Sequence, residues 1–176
     1  MVTEQNKSLK ALQFAIQMEI DGKKFYLEES EESSNELGKK LLKTLANEED
    51  VHLQKFEQIY EAIRNKKAWP KIDYQPDGGK GLRTLFAQAT KQIGTDIKPA
   101  TTELAAVQTA MDMENKSYDF YKSQSKSATY NSEREFYENS AAQERVHYLV
   151  LLDYYEYVKN PASWFVNKEH PSLDGG

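Results

Sequence analysis

Glu49 and His52 stand three residues apart in a segment with helical periodicity. This spacing places both side chains on one side of a helix, about one turn apart. Glu144 and His147 repeat the spacing later in the chain. A carboxylate and an imidazole so placed can bind a metal ion, but a polar stripe facing solvent has the same spacing. One Glu-x-x-His pair is therefore weak support for a metal site.

An internal duplication makes the metal interpretation much stronger. When the sequence is shifted by 95 residues, it aligns with itself. Each half has a glutamate followed thirty residues later by Glu-x-x-His. Small and aromatic positions also repeat, so the two motifs are in register. The positions that coincide include Ala15 and Ala110, Glu19 and Glu114, Tyr26 and Tyr121, Glu49 and Glu144, and His52 and His147.

The chemistry of burial explains why these residue types would repeat. The six residues fall within the apolar stripes of their helices, so we expect their side chains to face the core. A buried carboxylate without a partner costs several kcal/mol or remains protonated, and four together repel one another. Two divalent cations would offset the four negative charges, and oxygen and nitrogen ligands without sulfur suit iron, manganese or zinc. The predicted ligands are Glu19, Glu49, His52, Glu114, Glu144 and His147.

Four long helical segments must position these residues, and no segment alternates like a strand. The second segment opens with Ser33-x-x-Glu36, a capping-box pattern. Short links join the first segment to the second and the third to the fourth, which predicts two antiparallel hairpins.

The hairpins are joined by a crossover over about residues 65–100, which contains the short helical pattern LRTLFAQATKQI. We predict an all-α four-helix bundle over residues 1–160 and an irregular C-terminal tail over residues 161–176.

Composition excludes several other classes of site. The sequence has no cysteine, which excludes disulfides, thiolate zinc sites, iron–sulfur clusters and cysteine nucleophiles. A net charge of −5 without a basic cluster gives no support to nucleic-acid or membrane binding. No apolar run approaches the roughly 18 residues of a membrane span. The N-terminal residues lack the apolar core of a secretory signal, so we expect a cytoplasmic protein.

These motifs resemble the rubrerythrin branch of the ferritin-like superfamily over nearly the whole chain. The residues that carry the resemblance are Glu19 and the segments NEEDVH, MDMEN and AAQERVH. The resemblance implies two iron ions bridged by Glu49 and Glu144. Glu19 and His52 would complete one iron, and Glu114 and His147 the other. It further implies reduction of hydrogen peroxide or dioxygen, in defence against oxidative stress.

Two departures from that family affect the expected chemistry. Rubrerythrins carry a cysteine-ligated rubredoxin domain, so this chain would need a separate electron donor such as rubredoxin or a reductase. They also usually have a second glutamate three residues after the third-helix ligand, where this chain has Ser117. The site is thereby more symmetric, as in bacterioferritins. Gly22 and Ser117 occupy matching positions and either leave room for an oxidant or simply permit close helix contact.

Further residues have two interpretations each. Tyr26 and Tyr121 lie two turns beyond Glu19 and Glu114, where they either donate hydrogen bonds to ligand carboxylates or serve as ordinary core. His170 has no partner at metal-ligand spacing and is interpreted as a surface residue.

Three other functions are compatible with the same ligands. One is ferroxidase activity coupled to iron storage, which would need a hollow shell of many subunits. Another is a bundle that merely binds metal for stability, and a third is a manganese catalase. For the peroxide- or dioxygen-reducing protein, we expect a homodimer.

Overall fold

The computed structural model describes residues 4–65, 68–98 and 100–169 of the chain. Within these ranges there are six α-helices and no strand, which confirms the predicted all-α bundle. The helices are α1 (Glu4–Glu32), α2 (Glu36–Arg64), α3 (Lys80–Ile93), α4 (Thr101–Ser127), α5 (Asn131–Lys159) and α6 (Pro161–Glu169). Helices α1, α2, α4 and α5 form the bundle, while α3 lies within the crossover where the periodicity predicts a short helix.

The bundle consists of two hairpins placed side by side. Helix α1 packs along α2, and α4 packs along α5. Direct packing of α1 against α4 joins the hairpins on one side, while α3 contacts both α2 and α5 on the other. The crossover therefore covers the side of the bundle formed by the two helices that carry Glu-x-x-His.

The apolar core is divided into two clusters. One cluster contains Tyr26, Leu41, Leu45, Leu151 and Tyr154 among its buried residues. The other contains residues such as Leu12, Phe56, Ile59, Tyr121 and Phe136. The buried glutamates and histidines of the duplicated motif belong to neither cluster. Burial of apolar surface on both sides holds the four helices together around these polar residues.

A buried carboxylate fastens the first hairpin to the second. Glu103, near the start of α4, accepts hydrogen bonds from Ser33 Oγ at 2.7 Å, Ser34 Oγ at 2.6 Å and Asn35 Nδ2 at 3.0 Å. It also accepts one from the Tyr154 hydroxyl of α5. The N-cap residue of α2 is Asn35, whose side chain accepts a hydrogen bond from Gly38 N at 2.8 Å. The capping box predicted at Ser33 is wrong, because Ser33 donates to Glu103 instead.

The prediction of an irregular tail over residues 161–176 is wrong for residues 161–169, which form α6. Asn160 accepts from Ser163 N at 3.1 Å, and a proline in the first turn of a helix loses no hydrogen bond. Trp164 packs edge-on against Phe86 and Tyr157, with ring centroids 5.6 and 5.3 Å away. A cap and an aromatic anchor therefore stabilise this short helix. Residues 170–176 lie outside the described part of the chain.

Across the part of the chain that the structure describes, no helix is both long and apolar enough to cross a bilayer.

The crossover approaches α5 closely at Gly79, which allows a test of this contact. Gly78 and Gly79 have φ of 66° and 76°, so alanine at either position incurs roughly 1–2 kcal/mol of left-handed strain. A Cβ at Gly79 would also overlap Val146 Cγ1, whereas one at Gly78 meets no atom within 4 Å. We therefore expect Gly79→Ala to lower the unfolding free energy by about 1–3 kcal/mol more than Gly78→Ala. Chemical denaturation of both variants measures the difference, and equal losses would contradict the contact.

Candidate metal centre

The structure brings the six predicted ligand residues together in the middle of the bundle. Helices α1 and α4 each supply one glutamate, while α2 and α5 each supply a glutamate and a histidine three residues later. None of the six residues is more than 4% exposed. They are Glu19, Glu49, His52, Glu114, Glu144 and His147.

The six side chains form two overlapping sets of four, in each of which the potential ligand atoms lie within 4.8 Å of one another. The first set is Glu19, Glu49, His52 and Glu144. The second set is Glu49, Glu114, Glu144 and His147. Glu49 and Glu144 occur in both sets, which is the placement that bridging ligands require.

Each histidine directs its Nδ1 atom toward the carboxylates. His52 Nδ1 lies 3.3 Å from Glu19 Oε2 and 3.3 Å from Glu144 Oε1. His147 Nδ1 lies 3.1 Å from Glu49 Oε1 and 3.5 Å from Glu114 Oε1. The two rings are nearly parallel, with an interplanar angle of 9° and centroids 5.5 Å apart. The site thus has the approximate two-fold symmetry of the duplicated sequence.

Unpaired polar atoms indicate that the residues fit a pair of metal ions. Each of the six side chains has one buried oxygen or nitrogen that finds no hydrogen-bond partner among the described residues. Buried polar atoms are nearly always satisfied, so six such atoms around one point need an explanation. Divalent cations bound there would satisfy them together. The atoms are Glu19 Oε2, Glu49 Oε1, His52 Nδ1, Glu114 Oε2, Glu144 Oε1 and His147 Nδ1.

When no metal is bound, protons on the carboxyl groups reduce the buried negative charge. Burial raises the pKa of the Glu49 and Glu144 carboxyls well above its usual range, and the charges of Glu19 and Glu114 raise it further. Burial also acts to raise the pKa of Glu19 and Glu114, but their contacts with neighbouring acid and histidine groups outweigh it and lower the pKa. The shared carboxyls of Glu49 and Glu144 therefore favour their protonated form more strongly than those of Glu19 and Glu114 do.

The histidines favour their charged form. Burial alone would lower the pKa of His52 and His147. The nearby carboxylates, principally Glu19 for His52 and Glu114 for His147, reverse this effect and raise both values. Metal ions would have to displace these protons, because only a deprotonated nitrogen or carboxylate acts as a ligand.

Two tyrosines connect the hairpins across the site. Tyr26 on α1 donates to Glu114 on α4, and Tyr121 on α4 donates to Glu19 on α1. Burial and the surrounding carboxylates raise the pKa of both hydroxyls well above the usual range, so each keeps its proton. Each hydroxyl can therefore orient its candidate ligand and carry a proton beside it.

Sequence reasoning missed two residues at this site. Glu48 Oε2 lies 2.8 Å from His147 Nε2, on the side of the ring opposite the centre. Tyr74, from the crossover, packs edge-on against His52, with the ring centroids 5.9 Å apart. Its buried hydroxyl has no hydrogen-bond partner among the described residues. Glu48 could have been found from the sequence, because it is an acidic residue directly before the candidate ligand Glu49. Nothing in the spacing of the crossover points to Tyr74.

The small residues beside the site differ in their surroundings. Gly22 is buried, and a Cβ there would lie 3.6 Å from the Glu49 carboxyl, an ordinary contact distance. Ser117 is half-buried one turn after Glu114. His170 lies outside the described residues.

A four-helix bundle with two Glu-x-x-His motifs and two further inward-facing glutamates defines the class of carboxylate-bridged dimetal proteins. A family model described as Rubrerythrin matches residues 10–155. The chain belongs to the rubrerythrin family, and the matched region contains all six candidate ligands. No curated protein and no solved structure matched the chain.

Replacing one shared carboxylate tests the assignment of ligands. We expect Glu144→Ala to bind at most one divalent ion per chain, because both sets of ligands lose a member. Glu138→Ala is the matched control, since Glu138 is exposed on the same helix. Metal analysis after anaerobic loading with ferrous ions measures occupancy, and two ions bound to Glu144→Ala would contradict the shared role.

The melting temperature of the metal-free protein should depend on pH differently from that of the metal-loaded protein. Groups whose folded pKa is raised stabilise the fold below the unfolded pKa, about 4.3 for Glu and 6.5 for His. That contribution is lost as pH rises through the folded pKa. Glu49, Glu144, His52 and His147 all belong to this kind, so the melting temperature of the metal-free protein should fall between about pH 5 and 8.

Metal binding should oppose this trend, because the ligands must lose their protons to bind. The gain in melting temperature on adding metal should therefore increase over the same pH range. Calorimetry of the metal-free and metal-loaded protein measures both profiles. Parallel profiles would show that these buried groups do not exchange protons for metal.

Proposed function

We propose that the protein is a non-haem di-iron oxidoreductase that reduces hydrogen peroxide or dioxygen. The observation that carries this proposal is the convergence of six buried ligand residues, each with an unpaired atom, in two sets that share Glu49 and Glu144. Membership of the rubrerythrin family supports a redox role.

The ligand types restrict the metal. Carboxylate oxygens and imidazole nitrogens without sulfur suit iron, and also manganese or zinc. Iron is the metal that family membership favours. Two ferrous ions would supply two electrons, which together with two protons convert one hydrogen peroxide to two waters.

The protein's own residues would bind the metals, hold protons and exclude water. Glu49 and Glu144 would bridge, while Glu19 with His52 and Glu114 with His147 would complete the two positions. Tyr26 and Tyr121 hold protons beside the outer carboxylates. The apolar clusters on both sides limit the access of water, which strengthens electrostatic interactions within the site.

Turnover requires a source of electrons outside the described bundle. The sequence has no cysteine with which to hold an iron–sulfur centre. A separate donor such as rubredoxin or a reductase would therefore return the metals to the ferrous state. We further propose a cytoplasmic homodimer as the working form.

One observation favours a second candidate function. Ser117 occupies the position at which rubrerythrins usually have a further glutamate, so the ligand set is symmetric. A symmetric site is similar to that of bacterioferritins and would suit oxidation of ferrous ions by dioxygen for iron storage. Such a protein would form a hollow shell, which size-exclusion chromatography separates from a dimer.

Rapid mixing tests the proposed reaction. Anaerobically purified protein should contain two iron ions per chain, and the reduced form should oxidise faster with hydrogen peroxide or dioxygen than Glu144→Ala does. Peroxide and dioxygen are mixed in separate experiments so that their rates can be compared. Inert zinc or manganese that only raises the melting temperature would contradict an oxidoreductase and support a structural role.

A glutamate at position 117 should shift the choice of oxidant. Ser117→Glu restores a carboxylate one turn after Glu114, so we expect the ratio of the peroxide rate to the dioxygen rate to rise. Ser123→Glu places the same charge at an exposed position of α4 and should leave this ratio unchanged. An unchanged ratio in Ser117→Glu would show that this position does not determine the oxidant.

A further inference from the structure

The two halves of the site differ in charge at the matching positions 48 and 143. Residues 48 and 143 each precede the glutamate of a Glu-x-x-His motif, and the shift of 95 residues superimposes them. Glu48 has a carboxylate at this position, whereas Gln143 has a neutral amide. The six candidate ligands keep the duplicated pattern, so the symmetry is broken in the groups around them.

Glu48 fixes the orientation and tautomer of His147. Its Oε2 atom lies 2.8 Å from His147 Nε2, and His147 is fully buried. A carboxylate only accepts hydrogen bonds, so Nε2 must carry the proton. In the neutral ring the free electron pair then lies on Nδ1, which faces Glu49 and Glu114. Once the proton on Nδ1 is lost, a metal ion at that point meets the tautomer that can bind it.

Among the residues that the structure describes, no carboxylate makes an equivalent contact with His52. Its ion-pair contacts with described residues all run through Nδ1, toward Glu19, Glu49 and Glu144. On its outer side is a cavity of about 280 Å³, whose lining includes His52, Tyr74 and Gln143. A neutral amide near the ring does not add negative charge to the imidazole.

We propose that Glu48 is a positioning residue that makes the two metal positions unequal. Acting through His147, it makes the position at Glu114 and His147 bind a divalent cation more tightly than the position at Glu19 and His52. A carboxylate that accepts from a metal-bound histidine increases the basicity of that ligand, and its loss lowers metal affinity by about 10- to 100-fold. This inference rests on the proposed dimetal site.

Zinc titration of the metal-free protein tests the inequality without depending on turnover. Calorimetry should resolve two binding steps whose affinities differ by about 10- to 100-fold. Glu48→Gln should weaken the tighter step until the two steps nearly coincide. Glu57→Gln is the matched control, because it makes the same change at an exposed position of α2 and should keep both steps.

An exchange of the two residues shows which histidine is affected. The chain has three histidines, so the ¹⁵N spectrum of histidine-labelled protein is simple to assign. One equivalent of zinc should shift the His147 ring nitrogens first in the native protein. In the double variant Glu48→Gln, Gln143→Glu, the His52 ring nitrogens should shift first.

The outcomes separate this inference from the proposed function. Two unequal steps that persist unchanged in Glu48→Gln would overturn the role of Glu48 while leaving the dimetal site intact. Failure of the native protein to bind two ions would instead overturn the dimetal site itself. If Glu48→Gln does not fold, Gln143→Glu alone decides the matter, because it should tighten the weaker step and a failure to do so would contradict the inference.

Discussion

The structure depends on the cost of placing four carboxylates and two imidazoles in the centre of an apolar bundle. Each such charge would lose several kcal/mol of hydration if it had no compensating partner. Protons on Glu49 and Glu144 reduce this cost in the metal-free protein, since burial and neighbouring charge raise the pKa of both. Metal ions would remove it more completely, because they also satisfy the six unpaired atoms. The polar layer is therefore costly in the metal-free protein, and metal binding would offset that cost.

The surrounding structure holds these six residues at a common point. Two apolar clusters, one on each side of the layer, supply the burial that holds the helices together. Tyr26 and Tyr121 tie each outer glutamate to the opposite hairpin. Glu103 fastens the loop between α1 and α2 to α4 and α5. These contacts fix the relative position of the hairpins, on which the distances between the two shared carboxylates depend.

The features that could be predicted from sequence are those with a strong periodic or duplicated pattern. Helical spacing predicted the bundle, and the duplication placed all six candidate ligands on matching helix faces. The capping box at Ser33 was wrong because a distant residue, Glu103, takes the serine hydroxyl, and local patterns cannot reveal such a partner. The irregular tail was wrong for residues 161–169 because Trp164 packs against Phe86 and Tyr157, a site that forms only in the folded protein. Tyr74 was missed for the same reason, since its place beside His52 is set by the path of the crossover.

The duplication also bears on whether the two candidate metal positions have the same properties. Two identical half-sites would give no preference for which position is filled first. Changing a ligand would remove that symmetry at the cost of an unbalanced charge in the core. A change in the residue directly before a ligand avoids that cost. Position 48 has a carboxylate and position 143 an amide, which alters the basicity of one histidine and leaves the charges of the six ligands unchanged. Divergence in the residues that contact the ligands is therefore the least costly way for a duplicated bundle to give its two metal positions different properties.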